Sequence, residues 1–368
     1  MPKIKIAGAL AAIAIAISLV SAAFVVSNNN SLSAMNSQLT TMNSTLNSLK
    51  GELSSLQSEL NVVRASYYPL VIEDALGRVV TIKSEPTRIV SGSPTITETL
   101  FALGLSSRVV AADSYSNYPS EFVQLREQGK IAIVGGVTTL DPEKVAAQRP
   151  DLVVIDASLQ GKFIPALESL GLTVVALDAK SVENVRSNFQ LLAKITYKLG
   201  EGVRIVDHLN AAIQNVSGKV STAPPTKVLF LVWHDPMYST GNGTYLSELI
   251  SIAGGENIAG NRTGWVVLNP EQVIAANPSV LILSSMSLSI DPDQMFAYFR
   301  SLPGFENVDA VKNNRIYILT EDASNAVERA GPRLVDGVYI LGYILHPEVF
   351  KVQLPNVLAA NYTSYLGR

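Results

Sequence analysis

The apolar residues of this chain change their spacing three times, and each change marks a new element. From Ile6 to Val26 they run without a charge, preceded by Lys3 and Lys5. About 20 apolar residues are long enough to cross a bilayer, and lysines ahead of them favour the cytoplasmic side. Residues 1–26 are therefore expected to anchor the chain in a membrane. The alternative is a cleaved secretion signal, because Ser21-Ala22-Ala23 is small enough for a cleavage site. Either way the rest of the chain is expected outside the cytoplasm. Over residues 27–66 the pattern becomes Leu32, Met35, Leu39, Met42, Leu46, Leu49, Leu53, Leu56, Leu60 and Val63, in alternating steps of three and four. That is a heptad seam. It predicts a helical, coiled-coil-like stalk whose seam can bury itself against identical chains.

From Tyr67 onward short apolar runs alternate with helical spacing. In residues 67–180 the order is strand-turn-strand (Val71 to Ile82), strand (Arg88 to Val90), helix (Ile96 to Leu103, stopped by Gly104), and strand (Val109 to Ala112). A helix from Pro142 to Gln148 and strand Leu152 to Ile155 come next. Helix Phe163 to Leu170 and strand Thr173 to Leu177 end the set. Strands alternating with short helices predict parallel β-α units. Residues 181–222 break the rhythm: Val182, Val185, Phe189, Leu192, Ile195, Leu199, Val203, Val206, Leu209 and Ile213 read as one long helix, or two in series about Gly200 and Gly202. A second β-α set fills residues 223–347, and 348–368 read as a tail. The expected fold class is α/β, two lobes joined by a long helix.

Each set contains one copy of a repeat. LDPEKVAAQRPDLVVI begins at Leu140 and LNPEQVIAANPSVLIL at Leu268. In both, Pro occupies the first helical turn behind an N-cap, Asp141 or Asn269. Glu143 and Glu271 then fall in the first turn, where the helix dipole favours a carboxylate. Helix capping explains one copy; two copies at equivalent points place one acidic tip on each lobe.

Composition removes several functions. Among 368 residues Lys+Arg is 28 and Asp+Glu is 31, a net charge of −3, which leaves no basic face for nucleic acid. The absence of cysteine excludes disulfides, thiolate nucleophiles and a lipid-bearing N-terminal Cys. Three histidines (His208, His234, His346) make a clustered metal site unexpected. No Gly-x-Ser-x-Gly elbow and no P-loop occur, so the chain does not read as an enzyme. Asn-x-Ser/Thr sequons at Asn29, Asn43, Asn215, Asn242, Asn261 and Asn361 agree with a surface location in a prokaryote, with an archaeal source suggested.

The stretches EDALGRVVTI, PTRIVSGSPTITETLFALG, DSYSNYPSE, WHDPMYSTGNGTYLSELISIAGGENIAG and VERAGPRLVDGV, taken with the two repeats, resemble the substrate-binding proteins of ABC importers. The group is the one that carries cobalamin, haem and iron-siderophores. The resemblance spans roughly Val71 to Pro347, and DSYSNYP and VERAGPR bring it nearest the cobalamin branch. It implies two Rossmann-like lobes bridged by a single long helix, with limited lobe movement. It also implies an ABC permease dimer and its cytoplasmic ATPase as partners, with Glu143 and Glu271 docking into permease arginines.

Ligands of open α/β sheets bind beyond the C-terminal strand ends. That rule selects Ser93, Pro94 and Thr95, then Tyr115, Ser116 and Tyr118, then Asp156 in the first lobe. In the second it selects Trp233, His234 and Tyr238, then Ser284, with Ser285 beside it, and Arg329, with Trp265 close enough to join them. Each residue type has a structural alternative. The tryptophans can be core, His234 a cap, and Arg329 and Arg333 ion-pair partners of Glu328 or Asp336. A ferric siderophore complex is often anionic and calls for several basic residues. A corrinoid calls for aromatic walls and neutral hydrogen-bonding groups. The cleft residues are aromatic and hydroxylic, so the expected cargo is cobalamin, with siderophore or haem as the alternative. No resident cofactor is expected.

Overall fold

The computed structural model describes residues 14, 15, 18, 31–284 and 291–367. Apart from three positions, the expected membrane segment Ile6 to Val26 lies outside them, as does Ser285. Among the described residues no helix is long and apolar enough to cross a membrane. The chain divides into two units, Met1–Tyr68 and Pro69–Arg368. The first holds helix α1 (Ser31–Tyr67), 37 residues and so about 55 Å long. Thr41 and Thr45 return their hydroxyls to the carbonyls of Ser37 and Thr41 at 3.0 and 2.9 Å. Polar side chains that compete with the helical backbone are thereby tied back into it.

The second unit opens with an antiparallel hairpin, β1 (Leu70–Glu73) and β2 (Val79–Ile82). Asp74 Oδ1 accepts the N–H groups of Leu76 and Arg78 in its turn, and Gly77 supplies the positive φ of 71°. Asp74 Oδ2 accepts from Ala176 N at 3.1 Å, which fastens the hairpin to the first lobe. Burial opposes the Asp74 charge, yet Arg78 and the backbone donors outweigh it and hold the carboxyl below its usual range.

Lobe one runs β3 (Ile89–Ser91), α2 (Pro94–Ala102), β4 (Val109–Ala112), α3 (Ser120–Glu127), β5 (Ala132–Ile133) and a small hairpin of β6 (Gly135–Gly136) and β7 (Thr139–Leu140). It continues with α4 (Pro142–Ala147), β8 (Leu152–Asp156), α5 (Ala157–Gln160), α6 (Ile164–Ser169) and β9 (Val174–Leu177). The sheet order is β5-β4-β3-β8-β9, all parallel. Helices cover the sheet, so its strands are continuous apolar runs: every residue of β9 is buried.

The connector is two helices, the second of the two readings, and not one long helix. It is α7 (Val182–Ile195) and α8 (Leu199–Val220), folded back on each other. Arg186 Nε donates to Asn210 Oδ1 at 2.7 Å, and Gly202 lies so close to Ala193 that an added Cβ would come within 2.4 Å of the alanine methyl. The break falls at Thr196 to Lys198, where Tyr197 takes φ of 56°, and not at the glycines. The long spine is α8 alone, about 33 Å, which packs along the second lobe's last long helix.

Lobe two runs β10 (Thr226–Trp233), β11 (Met237–Thr240), α9 (Tyr245–Ile252), β12 (Gly255–Asn257), β13 (Trp265–Leu268), α10 (Pro270–Ala276) and β14 (Val280–Ser284). Then come α11 (Pro292–Ser301), α12 (Asp309–Lys312), β15 (Ile316–Leu319), α13 (Glu321–Glu328), α14 (Leu334–Leu345), α15 (Pro347–Phe350) and β16 (Val357–Leu358). The sheet order is β13-β11-β10-β14-β15-β16, with β12 beside the start of β10. Two expectations change. Trp265 opens an edge strand instead of lying in a loop. The supposed tail is part of this lobe: β16 pairs with β15, and buried Tyr362 donates to Asp336 at 2.9 Å.

Candidate functional site

The C-terminal ends of β3, β4 and β8 carry the first-lobe candidates. β3 ends at Ser91, and the chain passes through Gly92 under the side chain of Gln160. A Cβ on Gly92 would come within 2.4 Å of Gln160 Oε1, so only glycine fits there. Ser93 is buried before α2, while Pro94 and Thr95 are half-buried in its first turn. After β4, Asp113 Oδ1 accepts the N–H groups of Tyr115 and Ser116 at 2.7 and 3.1 Å. This turn throws Tyr115 outward, 53 % exposed, with Tyr118 at 36 %. Ser116 goes the other way. It is buried, and its hydroxyl joins a chain running from Asp113 through Thr97 to Ser91. Its hydroxyl holds the loop. Asp156 caps α5 by accepting Leu159 N at 2.9 Å, and burial raises its pKa, with Asp178 adding to the effect.

The second-lobe candidates lie at the ends of β10 and β14, on β11, on the edge strand β13 and after helix α13. Trp233 donates Nε1 to Asp235 O at 2.6 Å. His234 sits 4.7 Å from the Trp233 ring and 5.2 Å, edge-on, from Tyr298 on α11. Its buried Nδ1 has no hydrogen-bond partner among the described residues. Tyr238 stacks on Trp265 at 6.1 Å, and both rings are exposed, 37 % and 44 %. The antiparallel register of β11 and β13 causes this, since Tyr238 faces Val267 and Trp265 lies two residues back on the same face. Ser284 is buried and donates to Ser324 at 3.0 Å.

Arg329 makes an ion pair, the structural alternative for it, with a partner the sequence reading missed. Glu98 is the sole charge on α2 and is buried. Its Oε1 accepts from Arg329 at 2.8 Å and Arg333 at 2.7 Å, and its Oε2 from Arg333 Nε at 2.9 Å. Arg329 further donates to Asn117 Oδ1 at 2.8 Å, and Arg333 to Asp322 at 2.9 Å. The Arg333 guanidinium lies 3.9 Å from the centre of the Tyr118 ring. Both arginines come from lobe two, and Glu98, Asn117 and Tyr118 from lobe one. The two arginine charges are met by Glu98 and Asp322, so the lobe junction is buried and neutral. Glu98 and Asp322 are partners that the sequence reading did not consider. The one visible signal was Glu98 itself, the only charge between Arg88 and Arg108.

Beside the junction, burial pushes the Glu328 carboxyl up to about 8, against the opposing effects of Ser284, Ser324 and Arg329. Asp113 is pushed up to about 6 by the same cause, against its Ser116, Tyr115 and Arg329 partners.

Glu143 and Glu271 are both exposed, and neither has an ion-pair partner among the described residues. Asp141 caps α4 through Lys144 N, and Asn269 forms a full capping box with Gln272 on α10. Among the described residues no group of His, Cys, Asp or Glu is placed to hold a metal ion.

Comparison with known proteins gives this architecture a family. The family described as periplasmic binding protein matches residues 89–323. A substrate-binding lipoprotein of an ABC transporter from Bacillus subtilis is 28 % identical over 78 % of this chain and 89 % of its own length. A vitamin B12-binding protein from Vibrio parahaemolyticus is 24 % identical over 70 % of this chain and 90 % of its own. Among solved structures, the periplasmic vitamin B12-binding protein of Vibrio cholerae aligns with a TM-score of 0.61 at 22 % identity, covering 73 % of this chain and all but 1 % of its own (99 %). The periplasmic heme-binding protein of Roseiflexus sp. RS-1 aligns with a TM-score of 0.62 at 25 % identity, covering 71 % and 98 %. The chain belongs to the periplasmic binding protein family: it is a substrate-binding protein of an ABC importer, not an enzyme.

Proposed function

We propose that this protein captures a corrinoid of the cobalamin type between its lobes and delivers it to the permease dimer of an ABC importer driven by a cytoplasmic ATPase. The observation that carries the reading is a division of labour between exposed aromatic rings and buried charges. Tyr115, Tyr118, Tyr238 and Trp265 are exposed, while Arg329 and Arg333 are buried and neutralised by Glu98 and Asp322. Such a site suits a large, flat, amide-decorated ligand better than a polyanion. Relatives named as vitamin B12-binding proteins support it.

Haem or a ferric siderophore is the alternative, and one observation favours haem: the imidazole of His234 sits among Trp233 and Tyr298, and its Nδ1 has no hydrogen-bond partner among the described residues. Titration of the full chain with cyanocobalamin, haemin and a ferric siderophore separates the readings. Co-elution of red cyanocobalamin supports the proposal. Binding of haemin alone, with loss of its spectral shift in His234→Ala, replaces cobalamin with haem.

In the same reading Glu143 and Glu271 dock the loaded protein onto permease arginines, because charge-assisted bonds to Arg combine energy with geometry. Glu143→Ala with Glu271→Ala is expected to abolish uptake in cells while cargo affinity stays unchanged. Uptake at the wild-type rate removes the docking role. Ile6 to Val26 would hold the protein at the outer face of the cell membrane, since the chain has no cysteine to carry a lipid.

A further inference from the structure

We propose that α1 pairs with α1 of a second copy of this chain as a parallel, in-register, two-stranded coiled coil. The heptad seam places Leu39, Leu46 and Leu53 at a positions and Met35, Met42, Leu49, Leu56 and Val63 at d positions. Met35, Leu39, Met42, Leu46 and Leu53 are each between 42 and 56 % exposed. Apolar residues scattered singly over a surface need no explanation, but a stripe held at one pitch through a 37-residue helix does.

The composition of α1 argues that this helix needs a partner. Ser, Thr and Asn fill most positions between the seam residues, and Gly51 sits mid-helix at an f position, costing about 1 kcal/mol relative to Ala. Helices of such residues draw their stability from packing an apolar face and not from propensity.

Charge settles what the partner is and how it lies. The acidic residues flanking the seam, Glu52 and Glu59, both occupy g positions; the basic ones, Lys50 and Arg64, both occupy e positions. Antiparallel pairing sets g against g and e against e, which brings only like charges together. Parallel, in-register pairing sets g against the e five residues further along the other helix. Glu59 then meets Arg64 of the second copy, and Glu52 meets Gln57, with no like-charged pair. One sequence supplies both halves of the complementarity, so a second copy is the occupant. The pairing is independent of the cargo reading.

The chain contains no cysteine, so single cysteines report cleanly. In intact cells under mild oxidation, Leu46→Cys and Leu53→Cys are expected to give disulfide-linked dimers, whereas the f-position variants Ser44→Cys and Ser58→Cys are not. Detergent-solubilised full-length protein is expected to sediment as a dimer, and Glu59→Arg to shift it toward monomer, with added Arg64→Glu restoring the dimer. Equal cross-linking from both faces, cross-linking from neither, a trimer, or indifference to the charge swap would each overturn the proposal.

Discussion

The lobe junction and the cleft rim reverse the ordinary distribution of charge and aromatic surface. At the junction two arginines and a glutamate are buried, with side-chain exposures of 2 to 6 %. At the rim Tyr115, Tyr238 and Trp265 stand in solvent at 37 to 53 %. Buried charges cost several kcal/mol each to desolvate and are tolerated only when fully paired. Here pairing crosses from one lobe to the other, so the charges that would attract an anionic ligand instead fix the lobes' relative position. On the corrinoid reading, recognition is left to aromatic surface. The comparison teaches that the arginine count of a cleft is misleading until the partners of each arginine are known.

The junction is the place to break this contrast most severely. Glu98→Ala leaves Arg329 and Arg333 buried without their shared partner, a loss of about 3–5 kcal/mol. Chemical denaturation checks it, and a variant within about 1 kcal/mol of wild type contradicts the clamp. Glu98→Gln, which keeps the shape and drops the charge, is expected to fall between.

The neighbouring carboxyl gives a pH test. Glu328 is pushed up to about 8 from 4.5, so the folded chain keeps a proton that the unfolded chain releases. Its contribution to stability is full below about pH 4.5 and falls as pH rises to about 8. Asp113 acts in the same sense, but only between 3.8 and about 6. Between pH 6 and 8 the decline therefore reports Glu328, and Glu328→Gln is expected to flatten it. A melting temperature that rises over that window in the wild type contradicts the assignment.

Smaller effects belong to the rim. Trp265→Ala removes an exposed ring stacked on Tyr238, so it is expected to weaken cargo binding by about tenfold or more while leaving stability nearly unchanged. Equilibrium titration beside a melt separates the two. A melt lowered by several degrees with affinity intact would make Trp265 a packing residue.

The alternation of strands and helices and the Pro-Glu repeat were legible because they are local: one apolar run and one cap each. The connector's break was expected at Gly200 and Gly202, a few residues late, because it carries no glycine; Tyr197 adopts the left-handed conformation at a position sequence gives no reason to choose. The strand at Met237 to Thr240, second from the sheet's edge, is four residues long, too short for its alternation to stand out. Ser284 ends a strand and Ser116 lies in the loop after one, whereas Arg329 follows helix α13; the direction of each depends on partners elsewhere in the chain. Arg329 meets a glutamate 231 residues away. Periodicity says which residues reach the cleft and does not say which turn back into the protein.

The most direct test of the central claim is calorimetric titration of the protein with cyanocobalamin beside an anionic ferric siderophore. A rim of exposed aromatics over a neutralised junction predicts saturable binding of cyanocobalamin and little heat from the siderophore. Tight siderophore binding with no cyanocobalamin signal would contradict it.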